Sequence, residues 1–346
     1  MGRMTAETGD GSTVSVCVVC FDYADYVSEA IDSALGQQGA DVEVIVVDDG
    51  STDGSWAVIE AYGDRIHAIH KRNGGQASAM NAAVAAATGD LVLFLDADDI
   101  LEPDACLRVN EAVRAAGGVG KVGKVQWPLR VVDGKGEPTG ALHPPAHWKL
   151  PNGDLTARVC RFRSWVWPPT SGGVCPRSAL LEIGPIPEAE YRIEADRYLS
   201  SYLPFCGTVI SLKEPLSRYR VHGSNHYARR GLEPPALRRK ITQTIDGHPR
   251  VAQFARDRGF DYPLDPLEQL DASLLGYRLA SLVLDPAHHP VPGDRRFRLG
   301  LRGARAELLN PGHPWRRRLG RSAWFLLAGV APTRGAAEHL ARSRYR

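Results

Sequence analysis

The sequence predicts an α/β protein with a doubly wound, mostly parallel sheet and a C-terminal helical extension. Short apolar runs at residues 13–21, 42–47 and 91–95 are rich in Val, Ile and Leu, which suits strands buried on both faces. The segments between these runs have the apolar spacing of helices, and this alternation is typical of a parallel sheet. From residue 226 onward the strand pattern ends and helical spacing follows.

The predicted elements of the sheet follow one another without long insertions. In chain order they are a strand at 13–21, a helix at 27–37, a strand at 42–47, a helix at 56–62, a strand at 66–70, a helix at 77–87 and a strand at 91–95. A helix at 105–116 and a single edge strand at 124–132 are predicted next. In the extension, helical spacing covers residues 237–253, 266–284 and 297–309.

The composition is that of an ordinary globular protein of 346 residues, with a net charge of +2 and six scattered cysteines. The cysteines lack the spacing of a zinc site or a disulfide framework, so we expect them to be reduced. We also find no signal-peptide core and no apolar stretch of the roughly 20 residues that a bilayer requires. These observations predict a cytoplasmic protein, and we expect no nucleic-acid partner.

Three carboxylates stand within four residues at the end of the fourth predicted strand: Asp96, Asp98 and Asp99. Neighbouring carboxylates raise one another's pKa unless a cation lies among them. Because open α/β sheets bind ligands at the carboxyl ends of their strands, this pattern favours a divalent metal site. The alternative is a solvated loop that caps the following helix.

Other polar residues follow the neighbouring strands. Asp22 comes after the first strand, and Asp48 and Asp49 come after the second. The loop at 71–78 is basic and glycine-rich, and it opens a helix whose N-terminus offers free N–H groups. Carboxylates for a base, a ribose and a metal, together with cations for phosphates, describe a pocket for a nucleotide diphosphate. The motif GxxxxGK[ST] is absent and no GxGxxG follows the first strand, so the pocket has neither a P-loop nor a dinucleotide fingerprint.

Four segments in this order resemble the inverting glycosyltransferases of family 2, which have the GT-A fold. They are residues 14–37, the VDDGSTDGS at 47–55, the NGGQASAMNAA at 73–83 and the GDLVLFLDADD at 89–99. The resemblance covers residues 13–225. It implies a GT-A domain there, between a disordered N-terminus at 1–12 and a helical extension at 226–346.

The resemblance also implies roles for residues of the pocket. Asp49 would bind the base, Asp96 would contact the ribose, and Asp98 would ligate Mg²⁺ or Mn²⁺. Further nucleotide-binding residues are expected to be Phe21, Asp22, Arg72, Gly75, Gln76 and Ala97. The sequence Val19-Cys20-Phe21-Asp22 departs from the family's usual Pro, Ser or Thr, aromatic, Asn, which leaves the base open. A UDP-sugar is the expected donor, with dTDP- and GDP-sugars as alternatives.

The loop at 164–175 combines aromatics, prolines and paired glycines. Trp167 could stack on a sugar face, and Gly172 and Gly173 would let the backbone approach a ligand closely. With Ser171 they form the predicted sugar site for donor and acceptor, because the family places this loop beside the acceptor. A tryptophan packed in the core is the alternative for Trp167.

Inverting transfer requires a carboxylate that deprotonates the acceptor hydroxyl. The family places this base at a helix N-terminus in an acidic motif, and here Glu194-Ala195-Asp196 stands in that place. We predict Asp196 as the base, with Glu194 as the alternative. Both could instead be acids that interact with a helix dipole.

A strand ending in Tyr-Arg-x-His follows in the family, and here it is Tyr219-Arg220-Val221-His222. By this resemblance His222 would complete the metal shell, and Arg218 or Arg220 would neutralise the leaving diphosphate. A strand-end histidine bonded to the backbone is the alternative for His222.

The stretch at 315–331 is basic and then apolar. It is too short to cross a bilayer but can lie in the interface at the inner face of the membrane, beside arginines. The alternative is a helix that packs on its own domain or on a second copy.

The sequence therefore predicts a metal-dependent, non-processive glycosyltransferase that acts on a glycan or a lipid-linked acceptor. Cell-surface glycans, glycolipids and natural-product glycosides are the expected product classes. One alternative is a nucleotidyltransferase, but residues 13–25 lack a triphosphate loop. The other is a degenerate domain that binds sugar nucleotides or glycans without catalysis.

Overall fold

A computed structural model describes residues 11–223, 233–331 and 334–343 of the chain. Within these residues the strands are β1 (Val14–Cys20), β2 (Val42–Asp48), β3 (His67–His70), β4 (Leu91–Asp96), β5 (Ile100–Leu101), β6 (Val122–Gln126), β7 (Leu129–Asp133), β8 (Pro138–His143), β9 (Gly173–Pro176), β10 (Thr208–Ser211) and β11 (Ser217–Val221). The helices are α1 (Val27–Leu35), α2 (Ser55–Glu60), α3 (Gln76–Ala86), α4 (Ala105–Ala115), α5 (Thr156–Phe162), α6 (Arg177–Ile183), α7 (Ala195–Tyr202), α8 (Pro234–Asp257), α9 (Ala272–Leu284), α10 (Arg296–Leu309), α11 (Trp315–Val330) and α12 (Arg334–Ser343).

A large sheet has the strand order β10-β6-β9-β4-β1-β2-β3. β1 pairs in parallel with both β2 and β4, and β2 pairs in parallel with β3. β9 is the exception, since it runs antiparallel between β4 and β6. The β1-α1-β2-α2-β3-α3-β4 order and this pairing confirm the predicted α/β fold with a mostly parallel sheet and C-terminal helices.

The core explains why these segments form central strands. Val16, Val18, Leu93 and Leu95 are completely buried in one cluster that also contains Ile31 of α1. Successive side chains of a strand point to opposite faces of the sheet. Apolar side chains at successive positions are therefore buried only if both faces of the strand are covered.

The prediction of a single strand at 124–132 is wrong. The structure has two strands there, and β6 belongs to the large sheet whereas β7 belongs to a second sheet of order β5-β11-β7-β8. Trp127 and Pro128 separate them. Proline has no N–H for a ladder bond and fixes its own φ, so the chain leaves the first sheet at this point. The Trp127 side chain is buried and donates from Nε1 to the Ser217 hydroxyl at 2.8 Å.

The described residues form two compact units. One unit comprises 11–154 and 167–222 and contains both sheets; the other comprises 155–166 and the described residues after 222. The second unit holds α5 and α8 to α12, with its own buried cluster around Leu275, Leu279 and Phe325. Residues 1–10 of the predicted N-terminal segment, and the predicted boundary between 225 and 226, lie outside the described residues.

The helices of the second unit start and end differently from the predicted ones. The spacing at 266–284 predicted one helix, but α9 begins only at Ala272, because Asp271 caps it by accepting N–H bonds from Ser273 and Leu274. α12 was not predicted. No helix among the described residues is long and apolar enough to cross a membrane.

Candidate active site

The carboxyl ends of β4, β1 and β2 bring the predicted acidic residues to one edge of the sheet. In the register of these strands Cys20 lies opposite Asp48, and Val19 lies opposite Asp96. The main chain continues this pairing, since Asp49 N donates to Cys20 O and Ala97 N donates to Val19 O. The predicted nucleotide residues Phe21 and Ala97 therefore lie at the same edge, with Phe21 half-buried and Ala97 buried.

Asp49 is buried and accepts hydrogen bonds from the glycine-rich loop. Its carboxylate accepts from Lys71 Nζ at 2.8 Å, from Gly74 N at 2.9 Å and from Gly75 N at 2.6 Å. Gly75 has a φ of 89°, and a Cβ there would lie 2.7 Å from Arg192 O. The loop thus requires glycine at this position. Lys71 is the cation bound to Asp49, whereas the side chain of the predicted Arg72 is exposed.

Asp22 and Asp48 hold the turn between β2 and α2 against the end of β1. Asp22 has a φ of 57°, and its carboxylate accepts from Thr52 N at 2.6 Å. Asp48 accepts from Ser51 N at 3.2 Å and lies 2.7 Å from His70 Nδ1. Aspartate tolerates the left-handed region better than most residues, which accounts for its place at position 22.

Asp98 and His222 are in direct contact although 124 residues separate them in the chain. Asp98 Oδ2 lies 3.0 Å from His222 Nε2, and both side chains are nearly buried. The His222 ring packs on Tyr26 and Tyr23, with ring centroids 4.7 and 5.7 Å away. The structure therefore brings the two predicted metal ligands together. A carboxylate oxygen and an imidazole nitrogen form a donor set that suits Mn²⁺ and accommodates Mg²⁺.

The other carboxylates of this strand end are electrostatically crowded. Burial raises the pKa of Asp96, and the charges of Asp98 and Asp196 raise it further. Burial likewise raises the pKa of Asp99, with added repulsion from Asp98 and Asp96. A bound cation would relieve this repulsion, so the residues present fit a divalent metal.

The described residues contain no group of three His, Cys, Asp or Glu side chains arranged to hold a metal ion. A metal held by Asp98 and His222 would need additional ligands, and phosphate oxygens of a substrate would supply the kind that Mn²⁺ and Mg²⁺ prefer.

The two predicted diphosphate cations have different surroundings. Arg220 is buried and donates from Nε to Asp98 O at 3.0 Å and from Nη2 to Glu29 at 2.6 Å. Its backbone N donates to Asp99 at 3.0 Å. The Arg218 guanidinium instead donates to both carboxylate oxygens of Glu102, at 3.1 and 3.0 Å. Arg220 thus adjoins the acidic cluster directly, whereas Arg218 is held by Glu102.

Asp196 and Glu194 lie at the start of α7. Asp196 accepts a hydrogen bond from Trp167 Nε1 at 3.1 Å. Burial raises the pKa of Asp196, while this bond and the charges of Lys124 and Arg197 lower it. Glu194 has a φ of 64° and lies 3.2 Å from Arg197 Nε. Gln76, a predicted nucleotide residue, accepts at Oε1 from Ala195 N at 3.0 Å. The loop that begins α3 is thereby tied to the start of α7.

The predicted sugar-site segment packs against the same strand ends. The Ser171 hydroxyl accepts from Asp96 N at 3.0 Å, and Ser171 O accepts from the Ser217 hydroxyl at 2.7 Å. A Cβ at Gly172 would lie 2.6 Å from Leu129 Cδ1, and one at Gly173 would lie 2.7 Å from Lys124 Cε. Both glycines are therefore needed for packing within the protein.

Comparison with known proteins agrees with this arrangement. Residues 15–139 match the model of glycosyl transferase family 2. An uncharacterized glycosyltransferase of Nostoc sp. is 37% identical over 219 residues, which cover 62% of this chain and 66% of that protein. Residues 15–139 therefore belong to glycosyltransferase family 2. The predicted resemblance is confirmed.

Other relatives share a shorter region with this family 2 chain. Chondroitin synthase and hyaluronan synthase of Pasteurella multocida are each 46% identical over 101 residues, 28% of this chain and 10% of each synthase. The chain therefore spans just under two thirds of the Nostoc protein and a tenth of the two synthases. S. aureus TarS 1-349, solved in complex with UDP-GlcNAc, matches with a TM-score of 0.54 at 16% identity, over 96% of this chain and 91% of that one. This likeness supports the GT-A-type fold.

Several residues of the site were not among the predicted ones. Lys71 binds Asp49, Glu29 binds Arg220, and Lys124 lowers the pKa of Asp196. Lys71 lies inside the predicted basic loop, so its charge was a usable signal. Glu29 and Lys124 lie in a helix and a strand respectively, where no local pattern distinguishes them from structural residues.

Proposed function

We propose that this family 2 member is a metal-dependent, inverting, non-processive glycosyltransferase. It moves a sugar from a nucleotide-diphosphate donor to an acceptor hydroxyl. The observation that carries the proposal is the contact between Asp98 and His222. The candidate base Asp196 is near this contact, because the charges of Asp98 and Asp196 both raise the pKa of Asp96. The end of β4 thus lies near two candidate metal ligands and a candidate base.

The donor contacts follow from the residues at the strand ends. Asp49 binds the base, the loop at 71–78 supplies further nucleotide contacts, Asp96 contacts the ribose, and Arg220 neutralises charge on the diphosphate. A UDP-sugar is the first donor to test, since the fold neighbour TarS was solved with UDP-GlcNAc. dTDP- and GDP-sugars are the alternatives.

The metal ligands would be Asp98 and His222. Bound Mn²⁺ or Mg²⁺ supplies the positive charge that a departing diphosphate requires. The protein itself orders these ligands, because the Tyr23 and Tyr26 rings and the Asp98 carboxylate fix the imidazole of His222 from different sides.

Asp196 is the base of the proposed reaction. Its carboxylate takes the proton of the acceptor hydroxyl while that oxygen bonds to the anomeric carbon, and the bond from this carbon to the diphosphate oxygen breaks. The raised pKa of Asp196 suits this role, because a base works best when its pKa lies closer to the working pH. Trp167 orients the carboxylate through its indole N–H.

The acceptor is a glycan or a lipid-linked acceptor, and the products are cell-surface glycans, glycolipids or natural-product glycosides. In the proposed organisation residues 13–225 form the transferase domain and 226–346 form an extension. A purely binding domain is the alternative; it would need neither Asp98 nor Asp196 for a chemical step.

Thermal-shift measurements with UDP, GDP, dTDP and CDP, each with Mn²⁺, Mg²⁺ or EDTA, test the donor pocket. We expect stabilisation by one nucleotide that requires metal and is lost in Asp98→Ala. Slow hydrolysis of the matching sugar nucleotide, abolished in the same variant, then favours a transferase over a binding domain. If none of the four nucleotides shifts the melting temperature, the proposal of an active glycosyltransferase is wrong.

A further inference from the structure

The helices α10 and α11 of the second unit carry a large apolar surface that no described residue covers. On α10 the exposed apolar side chains are Phe297, Leu301, Leu308 and Leu309. On α11 they are Trp315, Leu319, Leu326, Leu327 and Val330, and Trp315 is 63% exposed. Most of these side chains recur every three, four or seven positions along their helix. Single exposed apolar residues are ordinary, but such a set on two helices is not. These nine side chains define what we call the α10–α11 surface.

The two helices are packed tightly against each other, so the surface is not a consequence of loose packing. The aromatic ring of Phe325 fills the space where Gly303 has no side chain, and a Cβ at Gly303 would lie 2.1 Å from it. The Ser322 hydroxyl donates to Ala304 O at 3.0 Å, and Arg321 donates to Glu307 at 2.6 Å.

The exposed side chains of both helices lie on one side. Arg296 at the start of α10 donates to Ala328 O and Ala331 O at the end of α11, so the helices run antiparallel. The opposite side of each helix is buried: Leu299 shares a core cluster with Leu279 of α9, and Trp324 donates to Leu340 O of α12. The α10–α11 surface is therefore continuous across both helices.

The charges around this surface have a single sign. Between residues 296 and 331 the sequence contains eight arginines and one acid, Glu307. Glu307 is buried and paired with Arg321, so it contributes no exposed negative charge. Arg298, Arg305 and Arg316 are exposed next to the apolar side chains.

We propose that the α10–α11 surface docks on an anionic lipid surface, with its apolar side chains in the interface and its arginines at the headgroups. Both the burial of its apolar side chains and the attraction of its arginines to acidic lipids favour the binding of such a helix face. Trp315 fits this placement, because tryptophan is enriched at the membrane–water interface. The charge pattern also disfavours a second copy as the occupant. A two-fold symmetric contact would place this arginine-rich surface against itself.

The proposal extends the sequence-based one, which involved residues 315–331 alone, because α10 supplies part of the surface. It does not depend on the transferase reaction, so a failure of either can be recognised separately.

Co-sedimentation of the full chain with vesicles tests the proposal. One set of vesicles is phosphatidylcholine, and the other is an equimolar mixture with phosphatidylglycerol. We expect binding mainly to the acidic vesicles, weakened at about 1 M NaCl, where the Debye length falls to roughly 3 Å. The double variant Leu319→Gln/Leu327→Gln should reduce partitioning about tenfold or more, because two apolar side chains no longer enter the interface.

The matched control is Leu181→Gln/Leu264→Gln, which changes two leucines elsewhere in the chain that are at least as exposed as one of the pair at 319 and 327. It should bind as the unchanged protein does. If the first double variant does not fold, as judged by circular dichroism, Arg298→Gln/Arg305→Gln/Arg316→Gln replaces it and should abolish the preference for acidic vesicles.

Three results would overturn the proposal. One is the absence of binding to either kind of vesicle. Another is vesicle binding that neither variant changes. The third is a dimer, seen by analytical ultracentrifugation, that Leu319→Gln/Leu327→Gln dissociates while vesicle binding is absent, which would assign the surface to a second copy.

Discussion

The carboxylates at the ends of β2 and β4 lie on either side of β1, and their surroundings differ. At the end of β2, Asp49 accepts three hydrogen bonds from Lys71 and the glycine-rich loop. At the end of β4, burial and mutual repulsion raise the pKa values of Asp96 and Asp99. Both strand ends have the same sequence pattern, in which acids follow an apolar strand. At the end of β2 the carboxylate holds a loop in place, whereas at the end of β4 the carboxylates repel one another and would be stabilised by a bound cation.

The difference shows that the role of an acidic residue at a strand end can be assigned only when the groups in contact with it are known. Asp49 has a cation and two N–H groups supplied by its own loop. Asp98 has a histidine from β11's end, a partner that can act as a metal ligand. The following predictions test whether the two strand ends differ in this way, beginning with the largest effect.

The largest effect is expected at Asp196, whose charge raises the pKa of Asp96 at the end of β4. Asp196→Asn removes the proposed base, so the rate of sugar transfer should fall about 10²- to 10⁴-fold. Nucleotide binding should persist, as thermal shift can show. Glu194→Gln is the matched variant, and we expect a smaller loss because Glu194 is paired with Arg197. A larger loss in Glu194→Gln than in Asp196→Asn would assign the base to Glu194.

The next effect concerns His222. His222→Gln keeps a polar side chain but removes the imidazole, so the Mn²⁺ concentration for half-maximal activity should rise about 10- to 100-fold. His143→Gln is the control, because His143 stacks on Tyr219 and has no predicted role in metal binding. Equal metal requirements in the unchanged protein and His222→Gln would exclude His222 as a ligand.

At the β2 end we predict an effect on stability. Asp49→Ala leaves Lys71 and the N–H groups of Gly74 and Gly75 without their acceptor, which should lower the free energy of unfolding by about 2 to 4 kcal/mol. Urea denaturation measures this loss. The exposed Asp64 provides the control, since Asp64→Ala should change the free energy by less than about 0.5 kcal/mol. A stable Asp49→Ala protein would contradict the structural role of this carboxylate.

The pH dependence of stability should distinguish the β4 end. Folding raises the pKa of Asp96 from 3.8 to about 8, so the folded state binds more protons than the unfolded state between these values. Stability contributed by this group therefore falls as pH rises through that window. In EDTA the Tm should decline toward pH 8, and Mn²⁺ with nucleotide should reduce the decline. An unchanged slope in Asp98→Asn would argue against repulsion within the cluster.

The smallest effect is expected at Lys124. Lys124 is buried, and its charge lowers the pKa of Asp196. Lys124→Met should therefore move the acidic limb of the pH–rate profile of kcat/KM to higher pH, with a few-fold loss at neutral pH. A loss of activity that is equal at every pH would indicate a packing role alone.

Sequence patterns predicted the parts of the fold that depend on local periodicity. The runs at 13–21, 42–47 and 91–95 became β1, β2 and β4 because Val, Ile and Leu at successive positions have few alternatives to a buried strand. The division of 124–132 into β6 and β7 was missed, since it depends on which sheet each half joins. Pro128 was the available signal.

The site was predictable where chemistry recurs in a motif, and less so where it depends on distant partners. The approach of His222 to Asp98 was expected only from the resemblance. The binding of Arg218 by Glu102 spans 116 residues, and no spacing rule indicates it. The φ of 64° at Glu194 is set by the folded chain, and a glutamate in the sequence does not indicate a left-handed conformation.

The most direct test of the central claim is a titration of Mn²⁺ followed by electron paramagnetic resonance, with the nucleoside diphosphate that gives the largest thermal shift. We predict one tightly bound Mn²⁺ per chain in the presence of the nucleotide, lost in Asp98→Asn and retained in Asp104→Asn, whose carboxylate is exposed and pairs with Arg108. Equal Mn²⁺ binding by Asp98→Asn and the unchanged protein, or none by either, would contradict a metal site at the end of β4.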